Sequence, residues 1–95
     1  MLGVIVRESD IEKYLSKRIT EAGGLCLKFV SAHAGVPDRI VVHNSHIVFV
    51  ELKAPGQKPR SLQALMHRRL RARGGRVVVC DSYESVDALC TSLEK

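Results

Sequence analysis

Pro37-Asp38-Arg39-Ile40-Val41-Val42-His43-Asn44-Ser45-His46-Ile47-Val48-Phe49-Val50-Glu51-Leu52-Lys53 is the stretch on which the fold turns. Two β-rich runs, Arg39 to His43 and His46 to Leu52, flank Asn44-Ser45. A two-residue connection led by Asn between apolar runs predicts a hairpin. Pairing His43 with His46 and counting outward sets Asp38 opposite Glu51, their Cβ atoms roughly 5 Å apart. Like charges that close are unfavourable unless a cation or a proton lies between them. Lys53, two residues past Glu51, projects from the same face of its strand. A surface salt bridge would also explain the three residues and would contribute little. However, Glu51-x-Lys53 ends an otherwise apolar strand, where charge carries a desolvation cost. Two carboxylates and an ammonium at the ends of adjacent strands are the groups needed to hold a divalent cation and orient water in phosphodiester hydrolysis.

Outward from the hairpin, the chain reads as αβββαβα. Ser9-Asp10-Ile11-Glu12 is a capping-box signal, and Ile11, Leu15, Ile19 and Ala22 recur at helical spacing up to Gly23-Gly24. Leu25 to Val30 predicts the first strand, followed by a loop over Ser31 to Val36. After the hairpin comes a Pro/Gly-bearing loop, Ala54 to Pro59, then a helix from Ser61 to Arg73 closed by Gly74-Gly75. Leu62, Leu65 and Met66 mark the apolar stripe of that helix, with Gln63 to one side. Val77 to Cys80 is a continuous apolar run, expected as a strand buried on both faces. A last helix spans Ser82 to Leu93 with Val86, Leu89, Cys90 and Leu93 on one face. This order predicts an α/β fold: a small mixed sheet flanked by helices, one domain over residues 1–95.

Bulk properties narrow the partner. The 95 residues carry a net charge of +5, with arginine densest between Arg60 and Arg76. Such an excess favours a polyanion. With two Phe, two Tyr and no Trp, an aromatic stacking platform is not expected, and phosphate contacts should dominate. Arg60, His67 and Arg71 fall on one helical stripe beside Gln63, a candidate phosphate-tracking surface or simply a solvated basic face. His33, in the loop before Pro37-Asp38, is a further candidate substrate contact. Arg69 and Arg73 fall near the helix C-terminus, where they complement the macrodipole or meet a second subunit. No apolar run is long enough to span a bilayer, and Met1 to Arg7 lacks the features of a signal peptide. Cys26, Cys80 and Cys90 lack metal-type spacing and read as free thiols in a reducing cytoplasm.

The helix ending in Gly23-Gly24, Gly35-Val36-Pro37-Asp38-Arg39-Ile40, Val48-Phe49-Val50-Glu51-Leu52-Lys53-Ala54-Pro55-Gly56 and Ser61-Leu62-Gln63 together resemble the PD-(D/E)xK nuclease superfamily. Within it, they are most similar to the VRR-NUC (virus-type replication-repair nuclease) domain in its stand-alone phage form. The resemblance covers almost the whole chain and implies a restriction-endonuclease-like fold. It implies Mg²⁺ or Mn²⁺ held by Asp38 and Glu51 with the Leu52 carbonyl, water oriented by Lys53, and Gln63 in support. A further acid from the first helix is implied, either Glu8 or Glu12. Helical phase favours Glu8, which requires the helix to start before Ser9. The spacing from Glu12 to Gly23-Gly24 resembles that of archaeal-type Holliday junction resolvases. The resemblance implies a structure-selective DNA endonuclease, a homodimeric four-way junction resolvase above other members, in the cytoplasm of a phage-infected or prophage-bearing host. The rivals are a repair nuclease that acts on flaps or forks with a helicase or other replication partner, and a non-catalytic DNA-binding module of the same fold.

Overall fold

A computed structural model describes residues 5–95. The first four residues of the N-terminal run read above as lacking a signal peptide lie outside that range. Helix α1 (Glu8–Glu21) is followed by strands β1 (Leu25–Lys28), β2 (Arg39–His43) and β3 (His46–Leu52). Helix α2 (Ser61–Ala72), strand β4 (Arg76–Cys80) and helix α3 (Tyr83–Ser92) complete the chain. The strands form one sheet in the order β1-β2-β3-β4, antiparallel except for the parallel β3–β4 pair. The α/β expectation and the element order both hold.

The hairpin has the register expected from counting: His43 pairs with His46 and Arg39 with Val50. Asn44 and Ser45 both adopt positive φ, 49° and 66°, the backbone twist that joins two antiparallel strands through two residues. The Asn44 amide also donates to the Leu93 carbonyl at 3.0 Å, tying the turn to the end of α3.

Strand alternation sorts the sheet into two faces. Val41, Val48, Val50, Leu52 and Cys80 face α1 and α3, where Ile11, Leu15, Ile19, Val86, Leu89 and Leu93 close a dry core. Tyr14 and Arg18 of α1 both reach Asp87 of α3, which locks the two helices together. Helix α2 packs on the other face against β4, and the Arg71 guanidinium donates to the Val77 carbonyl at 2.9 Å.

Three expectations change here. The first helix starts at Glu8, with Arg7 at its N-cap and the Asp10 carboxylate accepting from the Arg7 N–H at 2.9 Å. Ser9 is therefore inside the helix, because Asp10 rather than Glu12 satisfies the free N–H at its start. On α2, Leu62 and Leu65 are exposed, 54% and 44%, while His67 is buried. That helix turns its Gln63–His67 side to the sheet because the sheet presents a carboxylate there. The β4 valines are also less enclosed than expected: Val77 is buried, but Val78 and Val79 are half-buried, since β4 is an edge strand.

Candidate active site

The site forms where β2 begins and β3 ends. Pairing stops at Arg39–Val50, so Asp38 emerges just beyond the ladder beside Glu51. Two backbone contacts hold it. The Asp38 carbonyl accepts from the Phe29 N–H at 3.0 Å, and its carboxylate accepts from the Leu52 N–H at 2.8 Å. Lys53 is anchored next to them by its own N–H, which donates to the Cys80 carbonyl at 3.0 Å. The loop leading to Asp38 is pressed onto α2 at Gly35. Its φ is +84°, and a Cβ there would lie 2.6 Å from the Leu62 carbonyl oxygen, so the position requires glycine.

Glu51 is 1% exposed and is approached from three sides. The Gln63 amide donates to one carboxylate oxygen at 3.3 Å, and His67 Nε2 lies 3.2 Å from the other. Asp38 and Lys53 flank it. Burial first, then the neighbouring Asp38 carboxylate, together push the Glu51 carboxyl up to about 8 against the opposing pull of Lys53. Burial pushes the His67 imidazole the opposite way, downward, with Arg71 adding to the effect. Both shifts favour neutral forms, so the two residues form a hydrogen-bonded pair rather than an ion pair. Gln63 also accepts from the Arg60 N–H at 2.9 Å, so the same side chain caps α2 and reaches Glu51.

The first-helix acids separate clearly. Glu12 is paired with Arg39 at 3.0 Å. Glu8 is exposed, and its charge contributes to the rise at Glu51. Of the two, Glu8 is the one placed to act on the carboxylate pair. Among the described residues no three His, Cys, Asp or Glu side chains cluster as a ready-made metal cage. Asp38 and Glu51 still fit a hard divalent cation. They are neighbouring oxygen donors, one of them driven toward protonation by burial and by the other's charge, and a cation would offset both.

Of the candidate phosphate contacts, Arg60, Arg71 and His33 are exposed. His67 is not: at 2% exposure it belongs beneath the carboxylates, not to a surface stripe. Its contact with Glu51 was missed in the sequence reading. The available signal was the i, i+4 spacing from Gln63, hidden by the more conspicuous leucines.

No family model matches the chain. A curated relative from Acyrthosiphon pisum secondary endosymbiont phage 1, described as "Putative nuclease p44", is 48% identical over 82 residues, covering 84% of this chain and 88% of the relative. A solved structure described as "VRR_NUC domain" superposes with a TM-score of 0.81 at 36% identity, covering 88% of this chain and 94% of the other. The chain belongs to the VRR-NUC family. Within this VRR-NUC fold, the carboxylates and Lys53 lie at the open end of the β2–β3 ladder, and α2 supplies Gln63 and His67 from behind. No helix among the described residues is long and apolar enough to cross a membrane.

Proposed function

We propose that this chain is a divalent-cation-dependent endodeoxyribonuclease that cleaves branched DNA, with the four-way junction as preferred substrate. The observation that carries this reading is the convergence of Asp38, buried Glu51 and Lys53 at adjoining strand ends in a VRR-NUC chain. The phage relative described as a nuclease supports it.

Asp38 and Glu51, with the Leu52 carbonyl and Glu8 at the margin, would hold Mg²⁺ or Mn²⁺. The bound ion would polarise the scissile phosphate and make water acidic enough to attack near neutral pH. Lys53 orients that water and offsets negative charge as it develops on phosphorus. Gln63 and His67 hold the Glu51 carboxylate in one orientation. Arg60, Arg71 and His33 contact flanking phosphates, which position the strand without reading bases.

Two incisions across a junction call for two sites, which a homodimer with a two-fold axis supplies. In support, Leu25, Leu27 and Ile47 are exposed at 58%, 45% and 63% on the sheet face that α2 leaves uncovered. A second copy would bury that patch. Expression in the bacterial cytoplasm, where the substrate DNA lies, accords with the phage relative.

The deciding experiment is cleavage of a labelled immobile junction beside duplex, flap and single strand, in Mg²⁺, Mn²⁺ or EDTA, by the wild type and Lys53→Ala. Paired symmetric nicks that need both metal and Lys53 are expected. Metal-dependent cutting of flaps in preference to junctions would replace the junction with a fork or flap substrate. DNA binding without any cleavage would overturn the enzyme reading.

A further inference from the structure

A cleft of about 230 Å³ lies between the loop after β1 and the C-terminal half of α2. Phe29, Met66 and Leu70 give it apolar walls, and His33, Arg69 and Arg73 give it cationic ones. No carboxylate lines it. Neither arginine takes part in a salt bridge among the described residues. The Arg73 guanidinium donates to the Arg69 backbone carbonyl at 3.0 Å, which holds the Arg73 side chain back along the helix. The Phe29 ring is held from behind by Phe49, with centroids 5.8 Å apart and planes tilted by 40°. The only two phenylalanines are thus packed together, which composition did not suggest.

We propose that this cleft receives one unpaired nucleotide of the DNA substrate, its base against Phe29 and its phosphates on Arg69 and Arg73. The volume falls below the roughly 300–1,000 Å³ of drug-sized ligand pockets, which suits a single base rather than a larger ligand. An apolar floor with an aromatic wall takes a base whatever its identity, and the two guanidiniums complement the phosphates that come with it. The cleft is built on the same two chain segments that carry the site. Val36 lines it two residues before Asp38, and Met66 lines it immediately before His67. A strand with its scissile phosphate at Asp38 would therefore pass a neighbouring nucleotide into the cleft. Fully paired duplex offers no such nucleotide, whereas a base pair at a branch point lacks a stacked neighbour on one side and opens at lower cost, so the cleft would select for branch points.

This inference rests on DNA being the substrate but not on cleavage, and its test omits metal. Binding is measured by fluorescence anisotropy in EDTA, over a range of salt, to a duplex bearing one unpaired deoxyadenosine and to the same duplex with an abasic residue there. The wild type is expected to bind the unpaired base about tenfold tighter than the abasic site. Phe29→Leu should erase that preference. Arg69→Ala combined with Arg73→Ala should weaken binding to both probes and lower the salt slope by about two. Arg68→Ala, an exposed charge on the same helix outside the cleft, should lower the slope by no more than about one. Both cleft arginines are exposed, so the double variant carries the test even if Phe29→Leu unfolds. Equal affinity of the wild type for the two probes would overturn the proposal, as would an arginine double variant that loses no more than Arg68→Ala. Absence of any cleavage by the wild type in Mg²⁺ with the base preference intact would overturn the nuclease reading and leave this one standing.

Discussion

Glu51 is the residue at which packing and chemistry pull in opposite directions. Its carboxyl is enclosed and faces Asp38, so the folded protein keeps its proton up to about pH 8, against 4.5 for an ordinary glutamate. Between those values the native state binds more protons than the unfolded chain, so stability falls as pH rises through the window. His67, with its pKa lowered, acts the other way below 6.5: there the unfolded chain binds the extra proton, and stability falls as pH drops. The melting temperature of metal-free protein should therefore peak on the mildly acidic side of neutrality and decline toward pH 8. Glu51→Gln should flatten that decline while abolishing cleavage, and a wild-type profile that is level across this range would refute the neutral carboxyl. Cation binding must displace the Glu51 proton, so Mg²⁺ should raise the melting temperature more at pH 8 than at pH 6. His67→Ala removes a buried partner from that carboxyl and should cost about 1–3 kcal/mol in urea unfolding. Gln63→Ala removes a longer bond from a half-buried side chain and should cost less.

At the scale of elements, the β2–β3 hairpin sets the register that brings Asp38 to Glu51, and its turn is imperfect. Ser45 is held at φ 66° without the glycine that this backbone favours. Ser45→Gly should stabilise the protein by about 0.4–1 kcal/mol in chemical denaturation without altering the site. Asn44 should not be changed with it, because its amide is bonded to the Leu93 carbonyl. Gly35 is the opposite case. A methyl there meets the Leu62 carbonyl at 2.6 Å on a backbone that side chains rarely adopt. Gly35→Ala should cost about 1–3 kcal/mol and move the loop that carries Asp38, lowering kcat as well as stability. Helix α2 shows how element and site depend on each other. Leu62 and Leu65 point outward because Gln63 and His67 are the residues with a partner on the sheet.

At the scale of the whole molecule, one face of the sheet is sealed by α1 and α3 and the other is half bare. Leu27→Glu or Ile47→Lys, on the bare half, should convert a dimer to a monomer in light scattering with little effect on melting temperature; a wild type that is already monomeric would remove the homodimer from the proposed function. The excess of arginine should make DNA binding fall steeply with salt. Much of this architecture was legible beforehand because it depends on local rules. Alternation and helical periodicity located the elements, and a two-residue turn between β-rich runs set the register that juxtaposes Asp38, Glu51 and Lys53. Those relations follow from backbone geometry, which neighbouring residues carry. Three features were decided by tertiary structure alone: the burial of His67 against Glu51, the pairing of Glu12 with Arg39, and the packing of Phe49 against Phe29 beside a basic cleft. Each depends on which side of an element meets which neighbour. That choice belongs to the packing of the assembled chain, where one buried carboxylate outweighed two leucines in orienting α2.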